Sequence, residues 1–160
     1  MDTINGLPAH PLLVHVVVVM IPLAALAAIV SAVWPRARVW LGPTPAILSL
    51  IALIFLPLVT SAGESLEHSL GVVPTGPLAD HVEWGDKVIL LVGPLFGLTA
   101  LWWLLTSDRV SALRGRYLGD GAAKWVRSAV AVLTVIVALG SLAITIRVGD
   151  LGAQSVWGGR

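Results

Sequence analysis

The chain contains no cysteine. That excludes disulfides, iron–sulfur clusters and thiolate chemistry, and leaves no thiol usage from which to read a redox compartment. Charge is scarce as well. Asp, Glu, Lys and Arg make up 12% of the 160 residues, where a soluble domain carries about 25%. The net charge of +1, with the basic residues dispersed, gives no footing for a nucleic-acid partner. What remains is apolar: 57% of the residues are hydrophobic, more than a water-soluble core of this size can hide.

The few charges are unevenly placed. None lies between Asp2 and Arg36, between Arg38 and Glu64, between Lys87 and Asp108, or between Arg127 and Arg147. Each gap is close to or above the roughly 20 residues that cross about 30 Å of hydrocarbon as a helix. The pattern predicts an all-α polytopic membrane protein, a four-helix bundle forming a single domain over 1–160. Its helices fall at about 11–33, 44–62, 80–106 and 124–147, with a short polar tail over 148–160. The first run, followed by Ala24, Ala25, Ala27 and Ala28, has the look of a signal peptide. Yet the first ten residues hold Asp2 and no Lys or Arg, so the basic n-region is missing and the helix is expected to stay.

Orientation follows from the basic residues. Arg36 and Arg38 follow the first helix; Arg109, Arg114, Arg116, Lys124 and Arg127 lie between the third and fourth or just inside the fourth. The opposite side carries only Lys87, Arg147 and Arg160. The positive-inside rule therefore predicts a plasma-membrane protein with both termini extracytoplasmic. Trp34, Trp40, Trp102, Trp103 and Trp125 then read as inner interfacial anchors, and Trp84 and Trp157 as outer ones.

This alternation gathers all four histidines on the outer side, with seven of the nine acids. His10 precedes Pro11, a residue suited to the first helical position, so His10 is expected to cap the first helix as a surface contact. His15, just over a turn further in, is the expected buried ligand. Five residues separate the two by about 140° around a helix, too far to grip one ion together. Ser61 and Glu64 fit a capping box, so a short interfacial helix is expected after Gly63, placing Glu64 and His68 four apart on one face. Thr75 and Pro77 suit the start of the third helix, which would carry His81 near its beginning and pair Lys87 with Glu83 or Asp86. Asp150 would reach the same face from the tail. Pro22, Pro57 and Pro94 fall at membrane depth, and each frees a backbone carbonyl. Ala131, Thr134, Ala138, Gly140 and Ser141 read as a close-packing stripe of the fourth helix.

"GLPAHPLLVH", a histidine opening the third helix, and the closing "RVGDLGAQSVWGG" together resemble a bacterial four-helix integral membrane family catalogued as domain of unknown function 2231. The resemblance covers essentially the whole chain and rests on His10, Pro11, His15, His81, Gly149, Gly152 and Trp157. Some members occur fused to Rieske or cytochrome c modules, which implies a redox partner and an electron-transfer or haem-binding role. Many relatives carry a histidine where this chain has Asp150, so a role needing that imidazole does not transfer.

Three functions stay open. The first is haem b binding, with His15 and His81 as axial ligands, in a redox or electron-transfer role. The second is a divalent metal site built from His10, His68, Glu64 and Asp150. The third is a structural or assembly subunit of a membrane complex or homo-oligomer, whose polar cluster is a hydrogen-bond network. No HExxH or comparable signature marks an enzyme.

Overall fold

The computed structural model describes residues 3–4, 6–108 and 120–158. Arg109, Arg114 and Arg116 of the basic connection, together with Asp2 and Arg160, lie outside the described residues. The fold is all-α, with four helical spans long and apolar enough to cross a membrane. A two-residue antiparallel pair, β1 (Thr3–Ile4) with β2 (Leu7–Pro8), precedes the first helix.

Helix α1 is Ala9–Val33, α2 Pro35–Leu41, α3 Thr44–Leu70, α4 Pro77–Lys87, α5 Ile89–Thr106 and α6 Asp120–Trp157. Proline opens α2 and α4 in the first turn, where its missing N–H has no intrahelical acceptor to lose. α4 and α5 form one span, tightened at Val88, whose N–H bonds Gly85 O at 3.2 Å. Pro22, Pro57 and Pro94 lie inside α1, α3 and α5 as expected, while α6 contains no proline.

Three boundaries correct the sequence reading. α1 begins at Ala9, so His10 is within its first turn and not outside it. Pro11 is tolerated there because the first four N–H groups of a helix are free anyway. α3 runs through to Leu70 with no separate helix after Gly63, so the Ser61–Glu64 box does not form a cap. The first residue that demands a stop is Gly71, at φ 62°, where Val72 N–H closes on Glu67 O at 3.4 Å. Finally, 148–157 is no irregular tail but the last turns of α6. Leu151 is buried there, so continuing the helix gains packing against α4.

The helices form a ring. α1 packs on α3 and α6, α5 packs on the same two, and α1 and α5 stand on a diagonal and hardly touch. In lipid the hydrophobic effect does not drive helices together, so close approach and interhelix hydrogen bonds must. The core is built accordingly. Ile21, Val92 and Leu95 fill the spaces between small residues: Ala24, Ala25, Ala28, Ala52, Ala138, Ser49, Thr134 and Ser141. Buried hydroxyls return to their own helices, as Thr134 Oγ1 does to Val130 O at 2.7 Å and Ser141 Oγ to Val137 O at 2.9 Å. Some buried hydroxyls also reach across: Ser49 Oγ meets Thr99 Oγ1 at 3.2 Å, and Trp102 Nε1–H donates to Ser31 Oγ at 3.1 Å. Such bonds are worth about 0.6–2 kcal/mol each in membranes. Outward, all spans present large apolar side chains such as Val19, Leu26, Ile54, Leu90 and Ile136, the surface expected against acyl chains.

Candidate functional site

The connectivity puts the start of α1, the end of α3, α4 and the end of α6 at one end of the ring, with all four histidines there. Two of them do the same thing in the two halves of the molecule. His10, on α1, lies over Gly63 of α3, and its Nδ1 bonds Val59 O at 2.9 Å. His81, on α4, lies over Gly152 of α6, and its Nδ1 bonds Val148 O at 2.9 Å. In both, the ring sits on a valine carbonyl and on the glycine one turn later. A carbonyl only accepts, so Nδ1 carries a hydrogen, and in the neutral imidazole Nε2 then holds the lone pair.

Both contacts leave little room for a Cβ. A Cβ on Gly63 would stand 3.1 Å from His10 Nδ1, and one on Gly152 would stand 3.0 Å from His81 Cε1. By contrast, a Cβ on Gly149 of α6 or on Gly85 of α4 meets nothing within 4 Å. Gly63 and Gly152 are therefore close-approach positions. Both follow a V-x-x-x-G spacing, at 59–63 and 148–152, but the same spacing at 72–76 falls in a loop, so the pattern alone does not single them out.

The roles expected of His10 and His15 are exchanged. His10 is half-buried in the α1–α3 seam, and His15 is exposed, its Nδ1 turned back to Pro11 O on its own helix. The roughly 140° between them places one inward and one outward, and it is His10 that faces the neighbour. His68 and Glu64 are both exposed near the end of α3. Asp150 is exposed and accepts from Gln154 Nε2 at 2.8 Å. His10, His68, Glu64 and Asp150 do not come together, and no three His, Asp or Glu side chains among the described residues could hold one metal ion. The expected Lys87–Glu83 pair is present at 2.6 Å, with Lys87 Nζ also 5.0 Å from the Trp84 ring.

A cleft of about 390 Å³ opens beside this end, between α3 and the α4–α5 span. Thr60, Ser61, Glu64 and Asp86 supply its polar lining, Leu56 and Ile89 its apolar wall, and no histidine lines it.

At the opposite end, Trp102 corrects the reading of all seven tryptophans as interfacial anchors. Trp40 and Trp125 are more than four-fifths exposed, at 85% and 81%, whereas Trp102 is 5% exposed and bonded to Ser31. Arg38 lies 4.6 Å over the Trp102 ring, and its Nε and Nη2 donate to Ser31 O at 3.1 Å and Ala32 O at 3.3 Å. This Arg–Trp–Ser cluster is not legible in the sequence, because its members are far apart along the chain. Burial first, and the Arg127 guanidinium second, lower the Arg38 pKa from its ordinary value.

A scan against protein-family models finds no match, and neither the curated proteins nor the solved structures yield one.

Proposed function

We propose that this multi-pass membrane protein is a structural or assembly subunit of the plasma membrane. Its termini are extracytoplasmic, and it joins a larger complex or copies of itself. The supporting observation is that His10 and His81 are each engaged in an interhelix contact, pinning α1 to α3 and α4 to α6. The polar cluster is then a hydrogen-bond network that fixes helix register. The concentration of Arg36, Arg38, Lys124 and Arg127 at the other end supports the orientation. Because the chain has no cysteine, single substitutions Ser69→Cys and Arg36→Cys test it directly. An impermeant maleimide should label the first and not the second in intact cells.

One observation favours a second reading, haem b in an electron-transfer role. Donation from Nδ1 to a backbone carbonyl is how ligating histidines are oriented, and here it leaves Nε2 of His10 and His81 as the free donor atoms. His15, exposed on α1, gives way to His10 in this reading. Haem would supply one-electron chemistry; this chain would contribute the two imidazoles and their orientation. The fit is the weaker one, since α1 and α4 share few contacts and no histidine lines the cleft that opens at this end.

An absorption spectrum of protein expressed with haem supply, oxidised and then reduced with dithionite, separates the two. A featureless spectrum from folded, haem-supplied protein is expected. A Soret band with sharp reduced bands, lost in His10→Ala or His81→Ala, would overturn the structural reading.

A further inference from the structure

The basic end of the ring carries a second cleft, of about 300 Å³, lined by Arg38, Trp102, Lys124, Arg127 and Ser128 between the alanines Ala32 and Ala131. Three cations share this space, and among the described residues none of them is paired with a carboxylate. Two are held in place by the fold: Arg38 by the Ser31 and Ala32 carbonyls and the Trp102 ring, Arg127 by Ala123 O at 3.3 Å from its Nε. Holding like charges together costs free energy, and an anion between them relieves it. Guanidinium groups present paired N–H donors that match the oxygens of a phosphate, and Ser128 adds a hydroxyl.

We propose that this cleft binds the phosphate headgroup of an anionic phospholipid from the cytoplasmic leaflet. A lipid source fits better than a soluble phosphate because of depth. Trp34, Trp40 and Trp125, all exposed, mark this level as the membrane interface. Exposed Val132, one turn along α6 from Ser128, offers an apolar surface beside the cleft for an acyl chain. The site is independent of the histidine end.

The test is native mass spectrometry of the full chain in mild detergent, titrated with equal amounts of dioleoylphosphatidylglycerol and dioleoylphosphatidylcholine. The glycerol lipid should be retained about fivefold or more over the choline lipid, in keeping with the attraction of a basic site for anionic headgroups. The preference should disappear in Lys124→Gln/Arg127→Gln, which leaves the more deeply packed Arg38 in place. Arg36→Gln, a charge at the same end but outside the cleft, should keep it. Equal retention of both lipids in the native chain overturns the proposal. So does a preference that survives the double substitution or is lost in Arg36→Gln. Displacement of the bound lipid by millimolar inorganic phosphate, with phosphate alone raising the unfolding temperature, reassigns the cleft to a soluble anion and overturns the lipid assignment.

Discussion

The two halves of the bundle carry one device twice. In the first, α1 lays His10 across α3 at Val59 and Gly63; in the second, α4 lays His81 across α6 at Val148 and Gly152. The bonds have the same length and the same atoms. The surroundings differ: His10 sits in the first turn of an unbroken helix, while His81 sits on the short α4, before the tightened turn at Val88. A register-fixing contact thus needs only a ring, a carbonyl and a missing Cβ, and it tolerates different helix contexts.

Filling the space under either ring should have the largest effect. Gly63→Leu and Gly152→Leu should each destabilise by about 1–3 kcal/mol through overpacking, read as thermal unfolding in detergent. Similar losses would support equivalence; a loss at one site alone would show that only one half depends on its pin. Next come His10→Ala and His81→Ala, each expected to cost about 1–2 kcal/mol in the same assay. Their double variant should be additive within about 0.5 kcal/mol, because the rings sit on different seams with no shared partner. A clear departure from additivity would join the two imidazoles through a common ligand and favour the haem reading.

Smaller still is the control by glycines that face open space. Gly149→Ala and Gly85→Ala should stabilise by about 0.5–1 kcal/mol, the ordinary gain from removing glycine from a helix interior. Gly152→Ala, three residues from the first of these, should lose that gain or reverse it. Least of all, His15→Ala should change stability by no more than about 0.5 kcal/mol, as expected of an exposed side chain with only a local bond.

The spans were legible in the sequence because lipid imposes a requirement that reads directly as four charge-free runs. Helix ends were less so. Hydropathy reports where hydrocarbon stops, not where the helix does, so the sequence suggests a separate short helix after Gly63 and a tail from 148, although both stretches continue α3 and α6. The exchange of His10 and His15 has a related cause. α1 is apolar on every side, with a hydropathy of 2.8 over its most apolar window, so its sequence carries no stripe to mark the face that meets α3. The partner glycines fix that face, and their meaning appears only once two helices are side by side.

The absence of proline from α6 has a mechanical consequence. α1, α3 and α5 each carry a proline at depth, but α6 is a single uninterrupted rod. Arg127 and Ser128 of the basic cleft and Gly152 beneath His81 are carried on that one rod, about 37 Å apart from Arg127 to Gly152 at the usual rise per residue. α6 therefore has no proline kink at which a slide or twist would be taken up, unlike α1, α3 and α5.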